Sequence, residues 1–127
     1  MSVINWFEVP VADFERAKTF YETVLDKQLF VNDQRETMGS ILGVFPHDGQ
    51  VGGCLVHNPQ YGYTPSAEGT LVYFTITGNM DSALTRVPAA GGQVLLPKTE
   101  LGENAGGGYV SWVRDTEGNK VGFYSES

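Results

Sequence analysis

The sequence predicts an α+β fold of two βαβββ modules, about residues 1–57 and 70–127, joined by a connector over 58–69 within one domain of 127 residues. Two observations carry this reading. An apolar strand followed by a capped amphipathic helix occurs at 3–25 and again at 70–92, and the strands after each helix are divided by matching turns, Asp48-Gly49 and Glu117-Gly118.

In the first module an apolar strand leads into a helix that opens at Asp13, whose short side chain can accept from free first-turn amides. Phe14, Ala17, Phe20, Tyr21, Val24 and Leu25 recur at helical spacing and form the buried stripe. Residues 29–31, 37–45 and 51–57 then read as strands, the last two joined by the turn at 46–50. In the second module Asn79 takes the role of Asp13, and Met80, Ala83, Leu84 and Val87 form a shorter stripe. Pro88 lacks an amide donor and predicts a kink or tightening, with Gly91 supplying a left-handed exit. Strands follow at 93–97, 108–113 and 120–124, the last pair joined by the turn at 115–119. The connector is rich in Gly, Pro and Tyr.

A chain of this length buries about two-thirds of its unfolded surface, enough for one core without disulfide staples. The single cysteine, Cys54, lies in an apolar strand and reads as a buried structural thiol. Fifteen acidic against eight basic residues give a formal charge of -7. With no basic cluster to offset it, that balance argues against nucleic acid and anionic membrane as partners. It suits a neutral or cationic small molecule better. No apolar run approaches the ~20 residues of a bilayer span, and Met1 leads directly toward a strand with no signal-peptide core, so the expected compartment is the cytoplasm.

The strand with PVADFERAKTFYETVL at 10–25, the second strand–helix start near 71 and the terminal DTEGNKVGFY at 115–124 together resemble the vicinal-oxygen-chelate superfamily. That superfamily includes glyoxalases, extradiol dioxygenases and bleomycin-resistance proteins. The likeness covers nearly the whole chain. It implies two modules whose mixed sheets curl into a cup, usually completed by a homodimer partner, and it implies metal ligands at four positions. Here those positions fall on Trp6, Leu71, Gly122 and Gly53. Indole offers only a donor, and leucine and glycine offer no side-chain ligand. The expectation is no metal and no other cofactor.

Strand alternation places further candidates in the cup: Trp6 and Glu8 on the first strand, Leu71 and Tyr73 on the strand opening module two, and Lys120, Gly122 and Tyr124 on the last. His57, at the end of its strand, shares a face with Gly53. The two inward glycines are expected to leave room for a bulky occupant. Glu8 stands out, because a carboxylate among Trp6, Phe7 and Val9 needs a partner, water or a ligand. Its partner is expected to be Lys120 or a tyrosine; its functional reading is ligand anchor or general base. Tyr61, Tyr63 and the glycine run at 106–108 are lid candidates, whereas His47, in a turn, reads as exposed.

Two function classes remain open. One is a metal-free module that binds a small aromatic or cationic molecule in a cup at a homodimer. The other is a glyoxalase-type lyase or isomerase, either metal-dependent through a shifted register or metal-independent with Glu8 as catalytic base.

Overall fold

A computed structural model of the chain describes residues 2–127. Met1, expected to lead into the first strand, lies outside them. The elements in order are β1 (Trp6–Pro10), α1 (Phe14–Leu25), β2 (Phe30–Gln34), β3 (Ser40–Val44), β4 (Gly52–His57), β5 (Tyr73–Thr75), α2 (Met80–Ala89), β6 (Gln93–Glu100), β7 (Tyr109–Arg114) and β8 (Lys120–Ser125). They form two four-stranded sheets of the same topology, β1-β4-β3-β2 and β5-β8-β7-β6. In each sheet the first pair is parallel and the others antiparallel. The α+β βαβββ duplication is thus present, with the two sheets left open.

The helices form where capping and periodicity place them. The Asp13 carboxylate accepts from the Arg16 amide at 3.1 Å, and Asn79 accepts from the Ser82 amide at 2.8 Å. Phe14, Ala17, Phe20, Tyr21 and Val24 are buried along α1, and Met80, Ala83 and Val87 along α2; Leu25 and Leu84 pack only partly. The helix passes through Pro88 to Ala89, because a proline in the final turn forfeits one amide bond while Ala90 still donates to the Arg86 carbonyl, and the tightening expected there follows as the Gly91 amide donates to the Pro88 carbonyl at 3.1 Å. Gly91 then exits at φ 100. Asp26, which ends α1 at φ 54, is the one non-glycine residue with positive φ among those described.

Strand limits shift where turns compete. β3 starts at Ser40 and not near Thr37, since the amides of Thr37, Met38 and Gly39 all point to the Gln34 carbonyl. β6 runs through Pro97 to Glu100, which an edge strand with register shifts against β7 tolerates. β5 is shorter than expected, leaving Leu71 ahead of the strand.

The core lies on the helix side of the sheets. Val9, Val11 and Leu55 from the first sheet meet Phe74, Ile76, Val121 and Phe123 from the second. Rings cross the module boundary, with centroids 5.7 Å apart for Phe7 and Phe74 and 4.9 Å for Phe45 and Phe74. The boundary also carries a polar latch. Asp115 in the β7–β8 turn accepts from the Tyr21 hydroxyl at 2.6 Å, and Asn119 donates to the Pro10 carbonyl at 2.8 Å. Burial, aided by the Asp115 charge, holds the Tyr21 hydroxyl well above its ordinary pKa. Glu117 accepts from the Ala12 and Asp13 amides at the start of α1, at 3.0 and 2.7 Å, and from Arg16 Nε at 2.7 Å.

Register decides which residues share a face. Val9 and Phe74 occupy equivalent buried positions, so Glu8 corresponds to Tyr73; their partners on the neighbouring strands are Cys54 and Gly122. Counting from the turn glycines assigns Gly53 as the counterpart of Gly122. The β3–β4 connection departs from that count by one residue, which moves the equivalence to Cys54 and turns Gly53 to the core side.

Candidate functional site

The exposed face of the sheets carries a group of polar and aromatic residues from each module. On the first sheet, Trp6 and Glu8 lie in register with Gly52 and Cys54. A β-carbon at Gly52 would stand 2.9 Å from the Trp6 ring and 2.8 Å from His47, so only glycine lets the indole lie against β4. His47 meets the Trp6 ring edge-on, with centroids 5.9 Å apart. Trp6 nevertheless remains 41% exposed. The expected partner for Glu8 proves to be a tyrosine: Tyr63, reaching back from the connector, donates its hydroxyl to Oε1 at 2.7 Å. That bond raises the Tyr63 hydroxyl above its usual pKa. Beneath it, burial and then the Glu8 charge push the Cys54 thiol up to about 11, so it stays protonated at neutral pH.

On the second sheet, Tyr73 is 46% exposed and its hydroxyl accepts from Trp112 Nε1 at 2.8 Å. Lys120 lies with Nζ 4.2 Å from the Trp112 ring centre, a cation–π contact, and so does not pair with Glu8. The space expected over Gly122 is filled, since a β-carbon there would come within 2.5 Å of the Tyr73 ring. The Phe7 ring covers Gly53 in the same way from the core side. Tyr124 is closed over by Gly108, whose added β-carbon would lie 2.6 Å from the tyrosine hydroxyl.

Not every expected residue joins these groups. His57 faces the core side with Leu55, its Nδ1 3.0 Å from the Val11 carbonyl oxygen. Tyr61 sits in the one-turn helix Pro59–Tyr61 and is 72% exposed, apart from the Glu8–Tyr63 pair. Leu71 borders a small hollow with Lys120 at the connector. The sequence reading also missed members. Trp112 was signalled by the alternation of Val110, Trp112 and Arg114 in β7, but only its pairing with Gly122 shows which face it takes. Cys54 was missed through the one-residue slip.

At the positions where the resemblance implies metal ligands the chain carries Trp6, Gly53, Leu71 and Gly122, none with a side-chain donor for a divalent cation. Trp6 and Leu71 supply no ligand atom, and Tyr73 covers Gly122. Cys54 contributes at most one sulfur beside Glu8. Among the described residues no three His, Cys, Asp or Glu side chains converge in a way that could hold a metal ion. What the face offers is a carboxylate, hydroxyls and open aromatic surfaces.

Paired open sheets of this order define the class, an α+β protein of duplicated βαβββ modules. The chain belongs to the Glyoxalase/Bleomycin resistance protein/Dioxygenase superfamily, whose family model matches residues 3–123. Among solved structures it is similar to a glyoxalase/bleomycin resistance protein from Albidiferax ferrireducens T118, at 18% identity and TM-score 0.73, covering 98% of this chain and 99% of that one. It is also similar to a superfamily member from Sphaerobacter thermophilus DSM 20745, at 20% identity and TM-score 0.70, with 99% and 98% covered. An E144Q mutant of glyoxalase I from Zea mays matches at 22% identity and TM-score 0.70 over 96% of this chain but 46% of that chain, so the present chain spans about half its length. At these identities the likeness establishes the fold. No curated protein matches the chain.

Proposed function

We propose that this chain is a metal-independent small-molecule binding member of its superfamily that holds a cationic or aromatic ligand on the exposed face of β1. One observation carries the reading: Glu8 has a tyrosine hydroxyl for a partner and enters no ion pair among the described residues, and it stands two positions from a half-open indole. A carboxylate beside open aromatic faces attracts an ammonium group by Coulomb and cation–π terms together. The chain's charge of -7 adds a favourable field. Tyr63 would close over the ligand as part of the connector. Residues 1–127 work as one cytoplasmic domain, and a homodimer covers the exposed Trp6, Tyr73 and Phe30.

The test is a titration of purified protein with benzyltrimethylammonium and with uncharged benzyl alcohol, followed by tryptophan fluorescence. The cation should bind more tightly, and Glu8→Gln should weaken it at least about tenfold, or ~1.4 kcal/mol, because the amide keeps the Tyr63 bond but removes the charge. Equal binding of both probes by both proteins would sink the proposal. The same carboxylate could serve as the base of a metal-independent lyase or isomerase. Turnover of methylglyoxal with glutathione that Glu8→Gln abolishes would favour that reading over simple binding.

A further inference from the structure

We propose that the cleft on the core side of β1, where the two sheets meet, is a second small-molecule site, and that it takes an aryl carboxylate. The cleft has a volume of about 330 Å³, at the lower end of the range for small-ligand pockets. Its floor is aromatic. Phe7 and Phe45 are stacked with centroids 5.8 Å apart, and Phe74 tilts against Phe45 at 4.9 Å. Gly53 makes this floor possible, because any β-carbon there would overlap the Phe7 ring. An aromatic ligand ring can meet these phenyl rings edge to face and displace water from them.

The mouth supplies the polar end. Lys27, in the loop after α1, lines the cleft with His47. Lys27 is exposed and enters no ion pair among the described residues. Asp48 borders a more open neighbouring hollow together with both of them, and Asp26 and Glu22 another with Lys27, but no carboxylate lines this cleft. In a chain of net charge -7, an apolar cleft whose ionisable rim is an ammonium and an imidazole selects an anion carrying a flat apolar body.

The site does not depend on the reading given for Glu8. His47 and Tyr73 border both sites, but Phe7, which forms the floor of this one, points to the opposite face of β1 from Trp6 and Glu8, so Lys27→Gln and Glu8→Gln each address one of them. The charge they select is also opposite.

The test is an amide chemical-shift titration of the whole chain with phenylacetate, phenylacetamide and phenethylamine. Phenylacetate should shift the amides of Gly52, Gly53, Phe74 and Thr75 saturably, at least about threefold more tightly than the neutral amide, which is the scale of one exposed ion pair. Lys27→Gln should bring phenylacetate down to the affinity of phenylacetamide. Val51→Trp, which places an indole at the mouth, should abolish binding, and Glu8→Gln should leave it unchanged. The proposal is overturned by any of four results: no saturable shift at millimolar phenylacetate, shifts confined to Trp6 and Trp112, phenethylamine binding as well as phenylacetate, or indifference of phenylacetate to Lys27→Gln.

Discussion

Replacing Glu117 by glutamine should loosen the join between the two modules, by an amount that depends on pH. The side chain is fully buried and accepts five hydrogen bonds, from the Ala12 and Asp13 amides, from Arg16 twice and from the Thr116 hydroxyl. Burial alone would raise its pKa, but the Arg16 and Asp13 hydrogen bonds, the Thr116 hydroxyl and the Arg16 charge outweigh it and bring the pKa from 4.5 to about 2. A carboxylate whose folded pKa is depressed contributes stability that is fully present above its unfolded pKa and is lost as pH falls toward the folded value. A displacement from 4.5 to about 2 corresponds to roughly 3 kcal/mol. Arg16 is half exposed, and solvent screening of its charge reduces this to about 2 kcal/mol. Urea unfolding of wild type and Glu117→Gln should therefore differ by about 2 kcal/mol at pH 7, and the gap should narrow between about pH 4.5 and 2. A pH-independent gap, or no gap at pH 7, would refute the latch.

Other expectations are simpler to test. Glu8→Gln should unfold within about 1 kcal/mol of wild type, because its partner Tyr63 can still donate to an amide oxygen; a loss of several kcal/mol in denaturant melts would point to a buried cation not seen beside it. Asp26→Gly should stabilise the chain by about 0.5–1 kcal/mol, since glycine accepts the positive φ at the end of α1 without strain. Thermal melts that show a loss would mean the aspartate side chain contributes more than its backbone costs. Light scattering should report a particle near twice 13.8 kDa, and a monomer at micromolar concentration would contradict the dimer.

The helices were legible because their signals are local. Asp13 and Asn79 each precede an apolar stripe, and both caps form the bonds their side chains allow. Strand limits were less so: the turn after β2 is set by one carbonyl, Gln34, that gathers three amides, and composition does not reveal such a choice. The candidate site was legible where parity along a single strand suffices, as for Trp6 with Glu8. It failed where equivalence had to be counted across a turn. One residue in the β3–β4 connection put Cys54 on the Glu8 side of β4, where it is the buried thiol its apolar strand predicts, and sent Gly53 and His57 to the core side. The glycines misled for another reason. A glycine in a strand can mean space, but here Gly122 and Gly53 are the places where Tyr73 and Phe7 lie flat on the neighbouring strand. The latch at Asp115, Glu117 and Asn119 was read only as a corner, since its partners in α1 and β1 lie about a hundred residues away.

Metal independence of ligand binding tests the central proposal most directly. Protein dialysed against EDTA and then titrated calorimetrically with benzyltrimethylammonium should bind as tightly as untreated protein, because Trp6, Tyr63 and Glu8 need no cation to act. Binding that disappears on EDTA treatment and returns with stoichiometric zinc or nickel would contradict it.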